Sequence, residues 1–150
     1  REAGSTVLIA ADEAVRKETD PLAVAQAQAA DLIVVKVQPL GGVRRALSIV
    51  EQAGLDAVVS SALDSSVGIA GGVALAAALP RLDHACGLAT AALFTREPAP
   101  PALPVNGSLT PGPAPAPDAA IIEELKLPEE RQQWWRTRLA QAHRVLQQNA

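Results

Sequence analysis

Residues 32 to 42 read L-I-V-V-K-V-Q-P-L-G-G, and the fold turns on how this stretch is read. The apolar, largely β-branched run from Leu32 to Val35 predicts a strand buried on both faces, and Pro39, Gly41 and Gly42 stop it. Lys36 stands in the middle of the run. An ammonium is costly to remove from water unless a partner charge or a wet cavity receives it. Two readings are therefore open: a strand-end lysine that snorkels to solvent, or one that faces a polar site. The neighbouring strands bear on the choice.

Working outward, the chain alternates. T-V-L-I-A-A at 6 to 11 predicts a short apolar strand, followed at once by Asp12 and Glu13. Asp20 and Pro21 predict an N-cap and a first helical residue, opening a helix over L-A-V-A-Q-A-Q-A-A. After the Lys36 strand, V-R-R-A-L-S-I-V-E-Q-A at 43 to 53 carries apolar residues at helical spacing, and Gly54 ends it. D-A-V-V-S-S at 56 to 61 predicts a third strand, and Val67 to Leu79 an Ala-rich helix stopped by Pro80, its small residues suited to close packing on a sheet. H-A-C-G-L-A at 84 to 89 predicts a fourth short strand. The order β-α-β-α-β-α-β implies parallel strands with right-handed helical crossovers.

Beyond Thr95 the character changes. Residues 98 to 117 hold eight of the twelve prolines, which excludes helix and central sheet. A polyproline linker or a P-x-x-P ligand are possible forms; an extended segment laid over the domain surface is favoured. Residues 118 to 126 and 128 to 148 predict helices, the second with Trp134, Trp135, Leu139, Ala142, Val145 and Leu146 on a broad face, the tryptophans serving as packing anchors. Three parts are expected: 1–95, an extended 96–118, and helices over 119–150.

Composition excludes several classes. With 49% hydrophobic residues, few aromatics and a net charge of −3, the 150-residue chain is expected to be soluble, with one core. It lacks the basic stripe with interleaved aromatics of a nucleic-acid binder. No run has the apolar length of a membrane span, and no signal-peptide pattern is present. Cys86, the single cysteine, excludes an internal disulfide and fits a reducing cytoplasm. The chain starts at Arg1 and contains no methionine, so it is expected to be a portion of something longer.

Polar residues fall at the strand ends. Asp12 follows the first strand, Lys36 lies near the end of the second, Ser60 and Ser61 end the third, and Gly87 lies near the end of the fourth. In a parallel α/β barrel these ends share one rim, and active sites are built there.

This ordered set carries a resemblance. A-D-E at 11 to 13, V-K-V-Q-P-L-G-G at 35 to 42 and S-S-A-L-D-S-S-V-G-I at 60 to 69 resemble the C-terminal half of an enolase-superfamily barrel, and within it the actinobacterial o-succinylbenzoate synthase family. The similarity extends to A-C-G-L-A-T at 85 to 90, L-P-V-N-G-S-L at 103 to 109 and E-R-Q-Q-W-W-R-T-R-L at 130 to 139.

The resemblance implies an α/β fold comprising strands five to eight of a TIM-type (β/α) barrel, with an N-terminal half of the same enzyme as partner. It implies that Asp12 is the third carboxylate ligand of a catalytic Mg²⁺, a hard cation that takes oxygen ligands. Glu13 would orient its neighbours, or is a solvated loop acid. Lys36 would be the catalytic lysine of the sixth strand, facing the carbon next to a carboxylate from which a proton is removed. Ser60, Ser61, Asp64, Gly68 and Gly87 would bind a small-molecule carboxylate substrate, through hydroxyls and through N–H groups at a helix start. Asp64 stands where many relatives carry glutamate. The implied activity is a Mg²⁺-dependent syn dehydration in menaquinone biosynthesis, with the base, another lysine, on the second barrel strand.

That strand, its K-x-K motif and two further metal carboxylates have no counterpart in this sequence. An N-acylamino-acid racemase or a muconate cycloisomerase shares the enediolate chemistry, and a non-catalytic half-barrel module is the reading from another class. Dipeptide epimerases are disfavoured, because they carry D-x-D near the eighth strand, where this chain has C-G-L-A.

Overall fold

The computed structural model describes residues 6–148. The chain divides into two compact units, Arg1–Pro117 and Asp118–Ala150, so the Pro-rich run belongs with the first.

The first unit is built on a parallel sheet of β1 (Ala10–Ala11), β2 (Leu32–Val35) and β3 (Asp56–Val59), in that order. Ala10 pairs with Leu32, and Leu32 to Val35 pair in step with Asp56 to Val59. Sequential parallel neighbours require crossovers, and α1 (Asp20–Gln26) and α2 (Val43–Ala53) supply them. A third helix, α3 (Ser66–Ala78), follows β3.

Period-two alternation sets the faces. Ile33, Val35, Val37, Ala57 and Val59 are buried in one core with Ala46, Ile49 and Val50 of α2 and Ile69, Val73 and Ala76 of α3. Lys36, one residue beyond β2, therefore lies on the face away from the helices, as do Val34, Val58 and Ser60. On the other face Leu32 is buried but Val34 only half-buried, so β2 is fully packed on its helix face and packing on the opposite face loosens toward its C-terminal end.

Several elements are shorter than the sequence predicts. Of residues 6 to 11 only Ala10 and Ala11 pair as strand. The N–H of Ile9 donates to the side chain of Asp31 at 2.8 Å, which takes the group a ladder would use, and Val7, Leu8 and Ile9 lie exposed. Helix α1 takes Thr19, not Asp20, as its N-cap residue, and stops at Gln26, two residues before Gln28 turns the chain at a φ of 49°. The fourth strand is reduced to one parallel bridge, Ser60 to Gly87, closed by Gly87 N–H to the Val59 carbonyl at 2.9 Å and Ser61 N–H to the Gly87 carbonyl at 3.0 Å. A 3₁₀ turn at Thr90–Leu93 begins directly afterwards and leaves no room to extend it.

Small residues let α3 sit close. A Cβ on Gly72 would fall 2.5 Å from Cδ2 of buried Leu88, so any side chain there would have to displace that leucine from the core. The Pro-rich segment lies on the same unit: Ala99 is buried, and Ala102 and Leu109 pack against the core. Asn106 and Gly107, both at positive φ, form the two-residue turn that lets Val105 bridge Ser108.

Two hydrogen bonds tie this segment to α3. The Ser66 N–H donates to Glu97 Oε2 at 3.0 Å, and Ser66 Oγ accepts from the Ala102 N–H at 2.8 Å. Ser66 and Glu97 are both buried. Glu97→Ala should leave a buried helix-terminal N–H unsatisfied and destabilise the protein by about 1–3 kcal/mol. Urea unfolding would measure this, with Glu97→Gln, which keeps an acceptor, recovering most of the loss.

In the second unit, α4 (Ala119–Glu124) is capped by Asp118, whose Oδ1 accepts from the N–H groups of Ala120 and Ile121 at 2.7 and 3.2 Å. Helix α5 (Glu129–Gln148) carries the two tryptophans. The sequence assigns them to packing, yet none of the described α5 residues is buried. At six residues, α4 is too short to cover that face. Trp134 and Trp135 instead meet edge to face at 4.7 Å, with the Arg131 guanidinium 4.5 Å from the Trp134 ring centre.

Candidate active site

The loop after β1 and the end of β2 meet at the C-terminal edge of the sheet. There the Lys36 ammonium pairs with Asp12 Oδ1. The lysine side chain is only 17% exposed against 47% for the aspartate, so the cation is the more enclosed partner. This answers the question raised by a lysine in an apolar run: its charge is matched from the adjacent strand end, not by bulk solvent.

Lys36 opens onto a cavity of about 600 Å³. Its polar lining comes from Glu13, Arg16, Lys36, Ser61 and Thr90, its apolar lining from Val15, Pro39, Ala62 and Leu63. That size suits a small organic ligand. A second cavity, of about 440 Å³, lies by Gly54 and Asp56 at the opposite, N-terminal strand ends. Parallel barrels do not place their chemistry at that end.

The loop from Asp12 to Asp20 is built, not loose. Val15 is buried, and its N–H donates to the Asp12 carbonyl at 2.9 Å. Asp20 Oδ2 accepts from the N–H groups of Arg16 and Lys17 at 2.9 and 2.7 Å. The Arg16 bond first, and the Lys17 bond next, hold the Asp20 carboxyl below its ordinary pKa. Glu13 forms an ion pair with the Arg16 guanidinium, so its carboxylate is engaged within its own loop.

The remaining sequence-predicted residues shape the wall. Ser61 Oγ donates to the Gly87 carbonyl at 3.0 Å and lies 2.9 Å from Thr90 Oγ1. Ser60 Oγ reaches the same carbonyl at 3.3 Å. Asp64 Oδ2 accepts from the Ala62 N–H at 3.1 Å and closes its own turn. Gly68 lies in the first turn of α3, where a Cβ would fall 2.9 Å from Asp64 Cβ, so it lets that turn close against the helix. The structure thus brings Glu13, Lys36 and Ser61 to the cavity with Asp12 paired beside it, whereas Ser60, Asp64, Gly68 and Gly87 are not among its lining residues.

Arg16 and Thr90 are lining residues to which the sequence reading assigned no role. The signal for Thr90 was its place directly after A-C-G-L-A. Arg16 gave none, because V-R-K-E reads as ordinary loop or helix text.

No group of three or more potential metal ligands occurs among the described residues. The donor type still suits Mg²⁺: Asp12 offers a hard oxygen at the rim, and a cation, the Lys36 ammonium, already rests on it. One carboxylate is a contribution to a magnesium shell and not a shell.

Residues 1–117 match the model of the family described as enolase C-terminal domain-like. This chain belongs to that family. Within it, the chain is similar to proteins named o-succinylbenzoate synthase. That of Mycolicibacterium smegmatis is 54% identical over 140 residues, covering 93% of this chain and 43% of the relative. That of Mycobacterium tuberculosis strain H37Rv is 52% identical over the same span, 93% of this chain and 43% of the relative. The chain therefore spans less than half the length of these relatives.

Among solved structures, the muconate lactonizing enzyme of Pseudomonas putida superposes with a TM-score of 0.69 at 24% identity, over 81% of this chain and 36% of that one. The N-succinyl Arg/Lys racemase of Bacillus cereus gives 0.73 at 19% identity, over 84% and 36%. At these identities the likeness is one of fold. It places the enolase C-terminal domain-like chain in an α/β class of parallel strands and helices, as the sequence reading expected. No helix among the described residues is long and apolar enough to cross a membrane.

Proposed function

We propose that this chain forms the C-terminal barrel half, strands five to eight, of an o-succinylbenzoate synthase that works in the cytoplasm in menaquinone biosynthesis. The observation that carries the reading is the meeting of Asp12 and Lys36 at adjacent strand ends, on the sheet face away from the helices and beside the rim cavity of about 600 Å³. The identity to the mycobacterial synthases supports the choice of reaction. An N-terminal half supplies the remaining metal carboxylates and the general base. The Pro-rich segment stays with the barrel half, and residues 119–150 form the C-terminal helices.

The substrate is a hydroxylated cyclohexadiene carboxylate bearing a succinyl arm. A proton leaves the carbon next to the ring carboxylate, and hydroxide leaves the neighbouring carbon from the same face. Hydroxide departs with a proton as water, and the ring becomes aromatic. Asp12, together with carboxylates of the other half, would hold Mg²⁺, which when bound would offset negative charge on the ring carboxylate. Lys36 stands on the face opposite the base and holds an ammonium against the anion as it forms. Ser61 and Thr90 offer hydroxyls along the wall, and Val15, Pro39 and Leu63 keep water from the ring.

The test is an assay of the complete enzyme with Mg²⁺ on the cyclohexadiene substrate and on an N-succinylamino acid. Dehydration as the dominant activity supports the reading. Racemization without dehydration would overturn it in favour of a racemase, and inactivity on both in favour of a non-catalytic module.

A further inference from the structure

We infer that Arg16 is a specificity residue that binds the remote carboxylate of the substrate, and that Glu13 holds the guanidinium ready by occupying it until that carboxylate arrives. The inference rests on the reading above, because it takes the substrate to be a dicarboxylate.

Two cations line the same cavity, Lys36 and Arg16, and each is matched by a carboxylate of the loop that follows β1. The two pairs differ in kind. Lys36 is enclosed and held by the neighbouring strand end, whereas Arg16 is 72% exposed and is held by a glutamate three residues away that is 71% exposed. An exposed pair of this kind is worth little, so an incoming carboxylate can replace Glu13 at small cost. A guanidinium presents a planar fork that fits a carboxylate in two parallel hydrogen bonds, which suits it to read a carboxylate rather than an amide or an ester.

The backbone beneath Arg16 is fixed as a binding residue requires. Buried Val15 anchors one side, and Asp20 grips the N–H groups of Arg16 and Lys17 from the other. That grip accounts for an aspartate that does not serve as the N-cap of α1: its carboxylate is spent on the loop that carries the arginine. The side chain can move between Glu13 and a ligand while its root stays in place. A cavity with an enclosed cation at its strand end and an exposed, forked cation on its lining loop fits a ligand with one carboxylate at the reacting carbon and a second at the end of a flexible arm.

The experiment uses the complete, Mg²⁺-loaded enzyme. Calorimetry would compare 2-succinylbenzoate with the analogue amidated at the succinyl carboxylate, for wild type, Arg16→Gln, Arg16→Lys and Glu13→Gln. Steady-state kinetics on the dehydration substrate would run in parallel. Arg16→Gln should weaken binding of the diacid, and raise KM, by about 3- to 10-fold while kcat stays within about twofold. It should leave the amide unaffected. Arg16→Lys, which keeps the charge but loses the fork, should fall between. Glu13→Gln should tighten the diacid by up to about fivefold, a change that a merely structural glutamate would not produce. Equal weakening of diacid and amide by Arg16→Gln, or no change in either, would overturn the inference, as would weaker diacid binding by Glu13→Gln. If the wild type performs no dehydration, the proposed reaction fails, while the calorimetric difference between diacid and amide still decides the role of Arg16.

Discussion

Lys36→Ala in the complete enzyme is expected to lower kcat for dehydration by a factor on the order of 10²–10³, about 3–4 kcal/mol of transition-state stabilisation. The size follows from where the ammonium sits. It is mostly enclosed, beside a cavity whose lining is in part apolar, so the charge acts through less water than at an open surface. Lys36→Arg separates two roles. If Lys36 stabilises the anion by charge alone, the arginine variant keeps part of the activity, since the charge remains though the shape does not. If Lys36 transfers the proton itself, arginine is nearly as inactive as alanine, because a guanidinium does not give up its proton near neutral pH. Turnover of both variants, with solvent-deuterium exchange into an N-acylamino acid measured alongside, distinguishes these outcomes. Near wild-type dehydration by Lys36→Ala would remove the residue from the mechanism.

Lys36 also shows why much of this site could be read without coordinates. A charged residue inside an apolar strand is a conflict between burial and solvation, and such conflicts are rare enough to point somewhere. Strand alternation then fixes the face: if Val35 and Val37 pack on helices, Lys36 cannot. The crossover order was legible for a similar reason, since α2 writes its apolar face and its terminal Gly54 directly into the sequence.

What escaped the sequence was set by contacts distant along the chain. The run from Thr6 to Ala11 has strand composition, but pairing there depends on Asp31, 22 residues beyond Ile9, whose side chain takes the Ile9 N–H. Asp20 beside Pro21 reads as a cap because the local chemistry is the same whichever N–H groups the carboxylate finds; the structure gives it those of Arg16 and Lys17. Gly87 forms a bridge and no strand, because the chain turns at Thr90 before a ladder can grow. Arg16 was illegible for a different reason. An arginine in a polar loop is unremarkable by composition, and only the fold shows that this one shares a cavity with Lys36.

Asp12→Asn carries the other large effect, and it should divide function from stability. The Asp12–Lys36 pair is half-exposed on the aspartate side, and the asparagine Oδ1 can still accept from the enclosed ammonium, so the variant should lose about 1 kcal/mol of folding stability and unfold at a slightly lower urea concentration. Its effect on Mg²⁺ should be far larger. Replacing a group that only supports a metal ligand typically costs 10–100-fold in affinity, and exchanging a ligating carboxylate for a neutral amide should cost at least about that much. Mg²⁺ is small and gives up water reluctantly, so a lost anionic ligand is not replaced cheaply by solvent. The measurement pairs Mg²⁺ titration calorimetry with urea unfolding, both on the complete enzyme. By the same reasoning residues 1–150 alone should bind Mg²⁺ poorly, since one carboxylate cannot compete with a full hydration shell. Unchanged Mg²⁺ affinity in Asp12→Asn would mean that Asp12 serves Lys36 alone, as its counter-ion. A large loss of stability with unchanged affinity would make the pair a structural clasp between β1 and β2, and the metal ligands would then have to be sought elsewhere.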